Sequence, residues 1–209
     1  MENPGTAEKF EFPNLFFWTL AHTIAFPVSF FFGFVSIYLL SFIGELLPEI
    51  VASGLGYVLW GGIFGGILGV VQWSFLKKKV PIPAKWALYS LLGIGVAEAV
   101  GVSELLILDI DRNIDIAVSY GWLVWTLVYF AGGALTGYFQ SSCLKKITPH
   151  YRSWILGSAL SWGLSTLLWT GIIRFVTASL AIPALISGGL VLGLLSAFFL
   201  NRILKKVIN

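Results

Sequence analysis

Six long, almost uncharged apolar runs follow one another along the chain, and polar residues gather between them rather than alternating within them. Runs of this kind predict helices, since roughly 20 apolar residues in a helix cross a bilayer core. They fall at about 14–40, 52–76, 86–108, 120–144, 153–173 and 183–200. A transmembrane β-barrel would instead show short segments of alternating polarity. The expected fold is therefore an all-α membrane protein of six transmembrane helices, with backbone polar groups bonded inside each helix. Pro27 falls inside the first run and is expected to kink it, because proline removes one helical N–H and crowds the preceding turn.

Composition supports the same class. Only 11% of the residues are charged, against about 25% in soluble domains. The first run is long and follows Glu2, Glu8 and Glu11, so it reads as a retained helix rather than a cleaved signal peptide. A single cysteine, Cys143, excludes a disulfide framework within the chain.

The charges then sort by side. Lys77, Lys78, Lys79 and Lys85 lie between runs two and three, Lys145, Lys146 and Arg152 between runs four and five, and Arg202, Lys205 and Lys206 after run six. With Lys9, one face holds eleven of the 13 basic residues, while Glu45, Glu49, Glu104, Asp109, Asp111 and Asp115 occupy the other beside Arg112 and Arg174. The positive-inside rule places both termini in the cytoplasm of a multi-pass integral protein. Trp18, Trp86 and Trp154 at the basic ends, and Trp122, Trp125 and Trp169 towards the opposite boundary, are expected to be interfacial belt anchors.

A period of 68 residues organises the runs. GGILGVVQWSFLKKKVPIPAKW (65–86) aligns without a gap to GALTGYFQSSCLKKITPHYRSW (133–154), and Pro13 and Trp18 extend the register backwards. The chain accordingly divides into a tail at 1–12 and three helical hairpins at 13–80, 81–148 and 149–209. The hairpins share one orientation, as parallel repeats, and a pseudo-threefold packing is the natural arrangement. Gly61, Gly65 and Gly69, Gly133 and Gly137, and Gly189 and Gly193 recur at four-residue spacing, which lets helix backbones approach closely in lipid. Gln72 and Gln140 follow in the first two copies and Ser196 in the third, and the glutamines are expected to bond a neighbouring helix. The combination of Gly65, Gly69, Gln72, Trp73, Leu76, Lys77, Pro81 and Trp86 resembles a group of mostly uncharacterised bacterial integral membrane proteins built from tandem copies of this hairpin. The second copy departs by carrying Ser141 in place of Trp73, and the third lacks the glutamine. That resemblance implies an architecture and no activity.

Among residues able to carry chemistry, Glu98 stands out near the middle of the third run, where the repeat places Phe30 and Thr166. A carboxyl at this depth faces the protein interior or water. The structural expectation is a bond to Thr166 or a pair with Arg174; the functional one is a proton- or cation-linked site. His22, whose repeat equivalents are Ser90 and Ser158, is expected to make an interhelical hydrogen bond. LDIDRNID places Asp109, Asp111, Asn113 and Asp115 at alternate positions, but Ile114 and Tyr120 stand where a calcium loop needs glycine and glutamate. No catalytic set, metal cluster or phosphate loop is present, and no cofactor follows from the residues. The expectation is a non-enzymatic accessory or scaffold subunit, or a binder of an apolar ligand. Its partners are the bilayer and a larger membrane complex or helix-packed oligomer, with no role for nucleic acid. The alternative is a small-solute or ion transporter or channel with a midplane site around Glu98.

Overall fold

A computed structural model describes residues 14–44, 49–107, 114–176 and 178–205 of the chain. Six α-helices follow in order: α1 (Leu15–Gly44), α2 (Glu49–Leu76), α3 (Lys85–Ile107), α4 (Ile114–Leu144), α5 (Ser153–Phe175) and, after a short 3-10 turn, α6 (Ala181–Lys205). Five of them, α1, α2, α4, α5 and α6, contain a described stretch long and apolar enough to cross a membrane. The expected third span is helical as well, with Lys85 at its start and Glu98 near its middle. Pro27 sits inside α1, and the helix runs on through it. The tail 1–12 and Asp109, Asp111 and Asn113 of the acidic segment lie outside the described residues.

The helices form a closed ring. Each packs against its neighbours in sequence, and α6 returns to α1. Among the described residues no helix backbone approaches a non-neighbour across the ring. Side chains fill the middle instead. Phe64 of α2 sits at the hub, 1% exposed, with its ring 4.9 Å from Phe26 of α1, 5.9 Å from Tyr129 of α4 and 5.7 Å from Trp162 of α5. The outward faces are apolar: Phe31, Leu127 and Phe198 are each more than half exposed. A surface of that kind belongs against lipid rather than water.

Glycine makes three of the ring's seams close. A Cβ placed on Gly65 would lie 2.5 Å from the Ser90 carbonyl oxygen of α3, one on Gly133 2.8 Å from the Ser158 oxygen of α5, and one on Gly189 2.7 Å from the His22 oxygen of α1. Gly69, Gly137 and Gly193 make the next contacts along the same seams, against Ser90, Ile155 and Thr19. In lipid, where burying apolar surface between helices yields little, such backbone proximity supplies the attraction.

Candidate functional site

The basic end of the ring is closed by a collar of tryptophans. Trp18, Trp86 and Trp154 are at most 1% exposed, so they are interior residues and not the belt anchors that their position suggested. Each indole N–H points across a seam to a polar residue of the preceding helix in the ring. Trp86 Nε1 donates to Gln72 Oε1 at 3.2 Å and Trp154 Nε1 to Gln140 Oε1 at 2.7 Å. Trp18 Nε1 donates to Ser196 Oγ and to the Gly193 carbonyl, both at 3.1 Å. Gln140 does most to tie the collar together: its amide also donates to Ser90 Oγ at 2.8 Å and to the Trp86 carbonyl at 3.3 Å, joining α3, α4 and α5. The rings of Trp86 and Trp154 stack at 5.8 Å. Val80 and Ile82 of the α2–α3 turn, with Leu200 and Leu204 of α6, pack into the same cluster.

His22 stands one turn from Trp18, fully buried. Its Nδ1–H donates to the Trp18 carbonyl at 2.8 Å, within its own helix, and Nε2 has no partner in the protein. The expected interhelical bond is absent among the described residues: Gly193 of α6 packs against the His22 Cβ, and the imidazole lies 4.8 Å from the Trp18 ring of its own helix. Ser90, the repeat equivalent, makes the same backward bond to Trp86 at 3.4 Å.

Further from the basic end, Glu98 lies on α3 between α2 and α4. It is completely buried, and its chain passes over Gly61 of α2, where a Cβ would collide with it. Neither carboxyl oxygen has a formed hydrogen bond within the protein. The nearest polar group is the Tyr129 hydroxyl of α4, which interacts with the carboxyl without reaching full hydrogen-bond geometry. Thr166 is buried with its own hydroxyl unpartnered and does not bond Glu98. Arg174 is exposed over the Phe175 ring and does not pair with it either. Of His22, Glu98, Thr166 and Arg174, the structure thus brings none into bonding contact with another.

Tyr129 is the residue that sequence reasoning missed. Its repeat equivalent is Gly61, so a tyrosine interrupts the glycine row exactly one helix away from the carboxyl it meets. That break in the period was the available signal. Trp60 Nε1 and Trp169 Nε1 are also buried without partners, and Trp60 stacks on Phe64 at 6.0 Å. The Glu98 half of the ring therefore combines a packed aromatic filling with polar atoms that helix packing leaves unsatisfied. Among the described residues no cluster of three metal-ligating side chains occurs.

The outer surface offers a different feature. A groove of about 440 Å³ runs between α2 and α3, lined by Gly62, Gly66 and Val70 on one side and Ala87, Leu88 and Leu91 on the other. Gly62 and Gly66 stand one residue along from the seam glycines, about 100° around the helix, with Gly62 buried and Gly66 half-buried in the groove. Set beside known proteins, the chain matches no family model, no curated protein and no solved structure.

Proposed function

We propose that the protein is a non-enzymatic scaffold or accessory subunit that holds a transmembrane helix of a partner in the groove between α2 and α3. The observation that carries this reading is the second glycine row. A Cβ at Gly66 or Gly62 would meet only Leu91, at 3.5 and 3.6 Å, an ordinary contact. Folding of this chain therefore does not require glycine at either position, although each glycine costs a helix about 1 kcal/mol relative to alanine. Gly66 is half-buried at the groove floor, four residues from the buried Gly62, and small residues at that spacing along an apolar groove suit the close approach of another helix.

A photo-reactive residue at Val70 or Leu88 tests the proposal. The expected product is a discrete adduct with a second membrane protein, lost in Gly66→Leu while the variant stays monodisperse. Adducts with lipid alone, or equal labelling from the lipid-facing Leu127, reject it. An adduct with a second copy of the chain makes it a homo-oligomer contact instead.

The same reading includes three hairpin repeats about a pseudo-threefold axis, with α3 crossing beside the other five helices and both termini on the basic, cytoplasmic side. It is supported by the seam contacts of Gly65, Gly133 and Gly189, whose partners Ser90, Ser158 and His22 are spaced by 68 residues. It is supported too by the repeated indole-to-glutamine bonds. Superposing the three hairpins by successive rotations checks it; a hairpin that fits only with reversed direction sinks it.

A second reading, a proton- or cation-linked transporter around Glu98, is favoured by the unpartnered carboxyl and Tyr129 hydroxyl alone. Uptake into vesicles that is abolished by Glu98→Gln, in a chain purified without companions, would select it over the scaffold.

A further inference from the structure

A second cavity, of about 400 Å³, opens at the basic end between α3, α4 and α5. It lies on a different seam from the α2–α3 groove and is independent of what occupies that groove. Its inner wall is Phe139 and Ile155, its rim carries Lys145 and Arg152, and Ser141, Ser142, Tyr89, Tyr138 and Tyr151 supply hydroxyls. Its depth in the bilayer follows from its neighbours: the apolar stretch of α4 ends at Leu144 and that of α5 begins at Ser153. Lys145 and Arg152 are the residues immediately outside those limits, at the level where lipid phosphates lie.

Four features make this cavity more than a basic surface. Among the described residues neither Lys145 nor Arg152 is paired with a carboxylate, so both charges are available. Arg152 is held in place, its Nε donating to the Tyr151 hydroxyl at 3.2 Å, which leaves the outer guanidinium nitrogens free. Lys85 adds a third cation, lying 5.7 Å from the Tyr89 ring on the cavity wall. The serines have a specific polarity. Ser141 Oγ already donates to the Tyr138 carbonyl at 2.6 Å and Ser142 Oγ to the Phe139 carbonyl at 2.7 Å. Their remaining capacity is to accept.

We propose that this cavity binds an anionic phospholipid with a polyol headgroup. The phosphate sits between Lys145 and Arg152, headgroup hydroxyls donate to the serine oxygens, and an acyl chain lies along Phe139 and Ile155. Basic pockets between helices at a membrane face recognise anionic headgroups in this way. The serine oxygens distinguish a glycerol headgroup from a bare phosphate, which brings no such donor array.

Native mass spectrometry of the full chain in detergent, with phosphatidylglycerol, phosphatidic acid and phosphatidylcholine as probes, tests it. The expected order is phosphatidylglycerol above phosphatidic acid above phosphatidylcholine. Lys145→Gln with Arg152→Gln should weaken phosphatidylglycerol binding about tenfold or more, since each surface cation contributes a several-fold factor. Lys77→Gln with Lys78→Gln, which removes the same charge from the other turn, should change it less than about twofold. Both pairs are exposed, and unchanged tryptophan melting verifies that the variants fold. Equal losses in the two double variants, or none in either, overturn the proposal. Phosphatidic acid binding as tightly as phosphatidylglycerol overturns the polyol assignment. Displacement of the lipid by soluble glycerol phosphate at equal concentration overturns the lipid as occupant.

Discussion

The two ends of the ring interior solve the same problem in opposite ways. At the basic end, the three collar tryptophans all donate to an acceptor on another helix. Roughly 18 Å further along α3, Glu98, Tyr129 and Trp60 are equally buried, yet their polar atoms lack formed bonds. An unsatisfied polar group inside a membrane protein is costly. The collar indoles therefore tie adjacent helices together, whereas Glu98, Tyr129 and Trp60, like His22 and Ser158 nearer the basic end, hold buried polar atoms that packing leaves without formed bonds.

Gln140→Leu should have the largest effect. It removes an acceptor and both amide donors at once, leaving Trp154 Nε1 without its bond, and about 2–4 kcal/mol of stability should go with them. Thermal or denaturant unfolding in micelles measures it; a variant that melts like the parent would mean that the collar is ornamental.

Gly61→Ala comes next, at about 1–3 kcal/mol, because the new methyl collides with the Glu98 chain. Combining it with Glu98→Ala should recover much of the loss. A double-mutant cycle is expected to return a coupling above about 1 kcal/mol, and strict additivity would show that the two residues do not meet.

Trp154→Phe should cost about 1 kcal/mol through its lost hydrogen bond, whereas Trp169→Phe, whose Nε1 has no partner to lose, should cost less. Comparing the two melting curves sharpens the contrast between the halves, and reversal of their order would break it. The smallest effect, and the only one of opposite sign, belongs to Glu98→Leu. Replacing a buried unpaired carboxyl by an apolar side chain of similar volume should leave stability unchanged or raise it by about 1 kcal/mol. A loss as large as that of Gln140→Leu would place Glu98 in the structural framework.

Much of the scaffold was legible because membrane constraints are strong. Apolar run length located the helices, and four-residue glycine spacing marked residues that now line three close seams. The tryptophans were misjudged for a physical reason. An indole at a helix end suits both a lipid interface and a buried hydrogen bond, and sequence position alone does not tell which face of the helix carries it. The distinguishing signal was the constant spacing from Gln72 to Trp86 and from Gln140 to Trp154, which links the two residue types as donor and acceptor. The partner of Glu98 was harder to see. The repeat pointed to Thr166 as an equivalent position, but equivalent positions in a ring occupy different seams, and what a side chain touches is set by the adjoining helix. Tyr129 meets the carboxyl because α4 adjoins α3.

The closing seam carries a consequence for biogenesis. Trp18 bonds to residues about 175 positions away, so α1 is synthesised long before α6 and waits for it before its indole and the edge around His22 are covered. Every other seam joins helices synthesised consecutively. Until α6 arrives, α1 presents an incomplete edge to the membrane, where an insertase or chaperone has a defined surface to shield. Because α1 and α6 pack at one seam among several of similar construction, a circular permutant that links α6 to α1 and opens the α2–α3 turn should form the same ring with a different order of assembly.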